Sequence, residues 1–349
     1  MKDRFWVFRI AVSMLCLLMI INGCNSKTAI EKMIDKGNAK FENADFADAA
    51  KTFSEVIKND PDNLKAYFRF ASANLCLESN IDKFWKTIYR ITVVDPSLND
   101  LLRDPTYSQS GYSTDKLQKN YMIRKEKLLK ISDEISAFTN AISKNPDNPK
   151  LYFGRGYWHF MLDDIREAAK DFSSAIKLDN TFEKAFIWRG NCYRSGYRDY
   201  TGFSYTDYYE NQFRTEYNYR RAIQINPKNL QTLWSLWSHN YSYADRPGSG
   251  VEILSSIIAV DSTDRYALLN RAQYRINLKD YKGAMHDYAL LVKNFPENSD
   301  YWVGLGLQKI NLGMKQEGMK DLRKALAICK DKYYMKVIQG MIDKNTSVK

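Results

Sequence analysis

The sequence predicts an all-α fold, a row of antiparallel helix hairpins closed by one C-terminal helix, and three observations carry that expectation. Five of the eight prolines, Pro61, Pro96, Pro146, Pro227 and Pro296, sit in similar settings (NDPDN, VDPSL, NPDNP, NPKNL and FPENS). Their gaps of 35, 50, 81 and 69 residues are multiples of 34 with 1, 16, 13 and 1 residues left over, so a unit of 34 residues ends each time in a helix stop. Small residues recur where the two helices of a unit would cross, and a large aromatic follows them, as in Gly156, Ala168, Phe172 and Ala175. A composition of 44% apolar and 27% charged residues excludes collagenous, disordered and polytopic membrane chains.

The elements follow in chain order. Lys2, Arg4 and Arg9 precede twelve uncharged residues, Ile10 to Ile21, a run too short to span a bilayer and of the length of a signal-peptide hydrophobic region. Ile21-Asn22-Gly23-Cys24 comes next, and this resembles the bacterial lipoprotein signal, in which a branched aliphatic at −3 and a small residue at −1 precede a lipidated Cys. Asn22 departs from the usual small or apolar −2 residue. The resemblance implies cleavage after residue 23, three acyl chains (palmitate among them) on Cys24, and a lipid-anchored linker over 24–29. An ordinary cleaved signal peptide with an incidental Cys is the alternative. Asn25 stands where an inner-membrane retention signal would place Asp, so the implied address is the outer membrane.

Residues 30–97 hold two units: 30–63 with Gly37, Ala49, Phe53 and Pro61, and 64–97 with Tyr67, Ala71 and Pro96. An insertion, 98–114, follows, with Tyr107, Gly111 and Tyr112 among polar residues. Units then run over 115–332. The first, 115–148, is legible only in its second helix, through Phe138, Ala141 and Pro146. The clearest, 149–182, places Tyr152, Gly156, Ala168, Phe172 and Ala175 in register. Unit 183–229 has Phe186, Gly190, Tyr193, Ala222 and Pro227 but about 13 extra residues between its helices. Unit 230–264 has Leu233, Leu236 and an Asp261 stop; 265–298 has Leu268, Ala272, Ala284, Tyr288 and Pro296; 299–332 has Trp302, Leu305, Gly306, Leu322 and Ala325. Residues 333–344 read as a closing helix through Tyr334, Val337 and Met341, with the last five residues frayed.

Agreement in register over consecutive units resembles the tetratricopeptide repeat family across most of the chain. The resemblance implies a right-handed α-solenoid whose units contact mainly their neighbours and whose end is capped. It also implies a concave binding face at unit positions 2, 5, 9, 12 and 13. These positions read Lys150, Phe153, Tyr157, Phe160 and Met161; then Lys184, Ile187, Asn191, Arg194 and Ser195; then Gln231, Trp234, Ser238, Tyr241 and Ser242. Aromatics with a basic edge suit a peptide or helix, since aromatic and Arg residues dominate binding hot spots, although consensus core filling accounts for the position-5 aromatics equally well. Asn191 matches one position of the Lys/Asn set with which some such domains grip a C-terminal carboxylate, but its partners do not follow.

A second candidate surface is the insertion 195–213, which carries Tyr197, Tyr200, Phe203, Tyr205, Tyr208, Tyr209 and Phe213. Seven aromatics in 19 positions are too many for a solvated linker: either the segment folds down as a lid or it offers its rings to a ligand.

No motif carries chemistry. There is no phosphate-cradling glycine loop, metal-ligand spacing or nucleophile elbow, so neither enzyme activity nor a cofactor nor a metal site is expected. His159, His239 and His286 stand alone and read as surface or groove helix residues; Asp163-Asp164 reads as a turn between helices. Cys76, Cys192 and Cys329, odd in number and far apart, read as buried thiols. The net charge of +11 falls to +9 once residues 1–23, with three positive charges and one negative, are removed. The remaining positive charge is dispersed, which argues against nucleic acid. The densest run, Lys116 to Lys130, has six positive charges against one Glu and suits anionic headgroups, an acidic partner or a solvated helix face.

Together these readings point to a non-catalytic scaffold lipoprotein of the bacterial cell envelope that binds a protein or peptide in its groove. The alternative, from another class, is a SusD-like outer-membrane lipoprotein that captures glycans through an aromatic-rich insertion.

Overall fold

A computed structural model describes residues 28–77, 81–94, 132–195, 205–243 and 247–347. The signal region, Cys24, the insertion 98–114, the basic run 116–130, and Tyr197, Tyr200 and Phe203 lie outside the described residues. Among the described residues there is no strand. The helices are α1 (28–42), α2 (Phe46–Asn59), α3 (Leu64–Cys76), α4 (Ile81–Val94), α5 (Ser132–Lys144), α6 (Pro149–Met161), α7 (Ile165–Leu178) and α8 (Glu183–Arg194). They continue as α9 (Tyr205–Ile225), α10 (Leu230–Tyr243), α11 (Pro247–Val260), α12 (Arg265–Asn277), α13 (Tyr281–Asn294), α14 (Ser299–Asn311), α15 (Lys315–Ile328) and α16 (Lys332–Ser347).

The turns explain the periodicity. Within a hairpin, three residues reverse the chain with the middle one in the left-handed region: Ala44 (φ 61°), Asp163 (φ 63°), Lys279 (φ 61°) and Gly313 (φ 81°). Each is a Schellman close, as where Asp45 N donates to Lys40 O and Ala44 N to Phe41 O. In two of the four the next residue's side chain caps the following helix, Asp45 accepting from Asp48 N and Asp280 from Gly283 N. Between hairpins, a four-residue turn recurs at 60–63, 145–148, 179–182, 226–229, 261–264 and 295–298, its last N–H donating to the first carbonyl. Proline pre-sets the second position in four of them. Where Pro is missing, Asp179 accepts from Thr181 N and Oγ1, and Asp261 does the same with Thr263, so a side chain holds the turn that a ring holds elsewhere.

The chain divides into two compact units, Met1–Asn211 and Gln212–Lys349. The division falls inside α9, the element that carries the extra residues of unit 183–229. Where the sequence reading has an insertion over 195–213, residues 205–213 are instead the opening turns of a 21-residue helix, since the segment 205–225 contains no Pro or Gly to stop it.

In the first compact unit the core is aromatic. Phe41 meets Phe138 (centroids 5.0 Å apart), Phe84 meets Tyr157 (5.1 Å), and Phe153 lies between Phe172 and Phe182 (5.6 and 5.0 Å). Gly156, Ala168 and Ala175 hold the α6/α7 crossing as expected: a Cβ on Gly156 would stand 3.2 Å from the Ala168 carbonyl. Helices α5 and α6 both reach back to α3. In the second compact unit, Leu236, Leu254, Leu268 and Leu291 form one core, and Leu322, Ala325 and Ile338 a second against the closing helix. The closest crossing is α14 with α15, where a Cβ on Gly306 would be 2.8 Å from the Gly318 carbonyl.

A charged ladder stitches the hairpins. Arg155 donates to Asp171 (2.7 and 2.9 Å), sixteen residues on, and to Thr139 (3.2 Å), sixteen residues back. Arg271 repeats this with Asp287 (2.6 Å) and Ser255 (3.0 Å). Asp287 is fully buried and also accepts from Arg275 Nη1 at 2.8 Å. Such doubly paired carboxylates satisfy the rule that a buried charge needs partners on all sides.

Three expectations are corrected here. His239 is 5% exposed, with Nε2 3.1 Å from the Gln212 carbonyl, and belongs to the core rather than to a surface. Cys329 is only half-buried, unlike Cys76 and Cys192. The closing helix does not fray at 345 but runs to Ser347, where Asn345 and Thr346 donate to the Met341 and Ile342 carbonyls at 2.8 Å.

Candidate functional site

Helix α6 carries the first of the three expected groove sets, and its aromatic members and Met161 are core. Phe153 and Tyr157 are fully buried, Phe160 is 3% exposed and Met161 2%. The reason is tertiary: Phe84 of α4 and Trp188 of α8 close over Tyr157 (5.1 and 4.6 Å), and Trp188 also covers Phe160 (5.2 Å). These three rings are therefore closed to a ligand, which corrects the expectation that Phe153, Tyr157 and Phe160 line an open groove. Asn191 is buried as well. Lys150, Lys184, Ile187 and Arg194 stay partly accessible along the same helices.

In the second compact unit the expected face does reach solvent. On α10, Trp234, Trp237 and Tyr241 recur at spacings of three and four and so share one side of the helix. Trp234 stands edge-on to Trp237 (5.3 Å), and Trp237 stacks on Tyr241 (5.1 Å, 28° between planes). Tyr241 is 64% exposed while the two indoles are half-buried, so the stack is seated in the protein and open at its outer end. The indole N–H of Trp237 is buried without a hydrogen-bond partner among the described residues. Tyr274 of the next hairpin lies near enough that burial, and then the Tyr241 phenol, raise its pKa. Trp237 and Tyr274 were absent from the sequence reading, although the 234/237/241 spacing is visible in it.

Of the aromatic insertion, Tyr209 is 70% exposed; Tyr205 and Tyr208 lie in α9 with side chains outside the described residues. Phe213 (72%) and Tyr217 (50%) continue outward-facing rings along the helix at four-residue steps.

Burial raises the thiol pKa values of Cys76 and Cys192, which keeps both protonated and inert. Among the described residues no cluster of His, Cys, Asp and Glu is suited to a metal, and no helix is long and apolar enough to cross a membrane.

Comparison with known proteins places repeats at both ends of the described chain. Models of the tetratricopeptide repeat match residues 34–79 and 266–298. DnaJ homolog subfamily C member 7 of Mus musculus is 37% identical over 60 residues, 16% of this chain and 12% of that protein. Its homolog in Schizosaccharomyces pombe is 23% identical over 345 residues, 86% of this chain and 71% of that one. The Dictyostelium discoideum homolog is 22% identical over 73% of this chain, which spans about half (48%) of that relative's length. Among solved structures, YrrB, described as a TPR protein with an unusual peptide-binding site, is 17% identical over 58% of this chain and 98% of its own, with a TM-score of 0.41. A tetratricopeptide repeat protein from Parabacteroides merdae is 13% identical over 92% of this chain and 100% of its own, with a TM-score of 0.33.

Proposed function

We propose that this chain, whose tetratricopeptide repeats make it a protein-interaction scaffold, is a lipid-anchored and non-catalytic member of the bacterial cell envelope that captures a protein or peptide on the α10 face. One observation carries the binding assignment: the Trp234–Trp237–Tyr241 stack is half-seated and half-open, with an unpartnered indole donor beside it. Ordered rings that lose little freedom on contact are what concentrates binding energy at a few residues. Support for the anchor is the signal ending at Gly23-Cys24. Three acyl chains hold a protein where one, at about 0.8 kcal/mol per buried CH₂, holds it only marginally.

Crosslinking capture from intact envelopes tests the face. The double substitution Trp237→Ala with Tyr241→Ala reduces partner recovery at least about tenfold, the loss expected when hot-spot aromatics worth about 2 kcal/mol or more are truncated. Undiminished recovery removes α10 from consideration.

Glycan capture is the second reading, favoured by the exposed rings of Tyr209, Phe213 and Tyr217 on α9. It requires tyrosine fluorescence to respond to oligosaccharide and the response to vanish when Tyr209, Phe213 and Tyr217 are replaced together by Ala.

A further inference from the structure

The second compact unit holds most of the chain's surplus charge, and one corner of that unit holds half of its share. Gln212–Lys349 carries 21 Lys and Arg against 13 Asp and Glu, while Met1–Asn211 carries 31 against 28. Such asymmetry between two parts of a chain signals an anionic partner for one of them. Within the second unit, residues 320–336 contain six cations, Lys320, Arg323, Lys324, Lys330, Lys332 and Lys336, against Asp321 and Asp331.

Charge that looks dispersed along the sequence is gathered by the fold. Lys320, Arg323 and Lys324 share the exposed side of α15 at steps of three and four. Lys330 is exposed in the connection to α16, and Lys332 and Lys336 are exposed one turn apart on that helix. At 1.5 Å per residue, each helical cation lies within about 12 Å of the connection along its own axis. The two carboxylates do not neutralise the cluster. Asp321 is buried, 2.6 Å from Lys309 Nζ, and Asp331 accepts from Tyr334 N at 2.7 Å. Among the described residues none of the six cations pairs with a carboxylate. Tyr333 stands among them and is 79% exposed.

The residue types choose the partner. Five of the six cations are Lys, which protein interfaces disfavour, whereas Arg, whose planar fork fits a carboxylate, is enriched there. An acidic polypeptide is therefore the poorer match. Compact ammonium charges on long flexible stems suit a plane of negative charge better than one fixed anion. Tyr333 adds an apolar ring with a polar tip, the kind of side chain that settles in a headgroup layer. We infer that the α15/α16 corner docks on an anionic lipid surface, its cations facing headgroup phosphates and Tyr333 entering the headgroup layer. The contact needs no acyl chain on Cys24 and is separate from the α10 face.

The test mixes the full chain with vesicles of phosphatidylcholine, with or without phosphatidylglycerol, and reads the acetylation rate of each lysine amine by mass spectrometry. Expected is slowing of about fivefold or more at Lys320, Lys324, Lys330, Lys332 and Lys336 on the anionic vesicles only, with the exposed Lys279, Lys282 and Lys293 of the same unit unchanged. Raising the salt from about 0.1 to about 1 M, which shortens the screening length from about 10 to about 3 Å, should abolish the slowing. Lys324→Gln with Lys332→Gln and Lys336→Gln, all at exposed positions, should raise the anionic lipid needed to protect Lys320 and Lys330 on the order of a hundredfold, at about fivefold per charge. Absence of slowing, slowing shared equally by Lys279, Lys282 and Lys293, or slowing that survives salt overturns the proposal. So does stronger protection by polyglutamate or by duplex DNA at equal ionic strength, which assigns the corner to an acidic polypeptide or to nucleic acid. Acyl chains on Cys24 would hold the protein on both kinds of vesicle alike, so failure of the anchor and failure of this contact are read separately.

Discussion

Among the described residues, Ala44, Asp163 and Lys279 hold the left-handed conformation that closes three of the hairpins, and Gly313 does so in a fourth without strain. A non-glycine residue there costs about 1–2 kcal/mol. Ala44→Gly and Lys279→Gly are therefore each expected to stabilise the fold by about 1 kcal/mol after the greater chain entropy of Gly is subtracted. Urea unfolding followed by circular dichroism measures it, and an unchanged midpoint counts against the strain. Glu134 makes the opposite kind of prediction. Burial, outweighing the neighbouring Arg69, raises its pKa in the folded chain above the ordinary 4.5. The folded state therefore binds its proton more tightly than the unfolded state does. Its contribution is most favourable below about pH 4.5 and is lost as pH rises through the folded value. The stability of the parent minus that of Glu134→Gln should fall steadily from pH 4.5 upward; a pH-independent difference removes the linkage. The sequence shows Arg69 and Glu134 as ordinary charges 65 residues apart, so their pairing was not legible. Asp287 with Arg271 is nearer the surface of the text, because Asp171, Asp287 and Asp321 recur at one unit position.

At the level of the element, helix α16 shows what closing a row of hairpins requires. Ile338 (0% exposed) and Ile342 (7%) cover Met319, Leu322 and Ala325 of α15, which would otherwise face water. Burying two such side chains contributes about 3–6 kcal/mol. Ending the chain at Asp331 should lower the urea midpoint of the second compact unit and open α15 to limited proteolysis; an intact α15 would show that the cap is dispensable. The spacing of Tyr334, Val337 and Met341 predicts an apolar stripe one residue off the buried pair, because a helix with apolar residues at 334, 337, 338, 341 and 342 has two adjacent stripes of equal merit. Helix boundaries were legible for a more local reason. Each stop is made by residues adjacent in sequence, whether Pro61 and Pro146 or the Asp179/Thr181 and Asp261/Thr263 pairs. Helix α9 escaped because its extension has no stop signal and its outward rings, Tyr209, Phe213 and Tyr217, look like a segment seeking cover.

For the whole molecule, the proposed lipid anchor is tested at Cys24. Cys24→Ala should move the protein from the membrane pellet to the soluble fraction; retention in the pellet until detergent is added would refute lipidation at that residue. A chain cleaved after Gly23 carries a net charge of +9, so salt extraction must be run alongside to separate anchoring from adsorption.

The repeat itself could be read from the chain alone, because helix stops, caps and crossing residues act over a few positions and recur every 34. Which aromatics meet a ligand could not. Phe153, Tyr157 and Phe160 occupy the same unit positions as residues on an open face, and they are core because Phe84 and Trp188 close over them. Trp237 and Tyr241 are accessible because nothing comparable among the described residues covers α10. Exposure is a property of neighbours far away in sequence, and the 34-residue period carries no information about them.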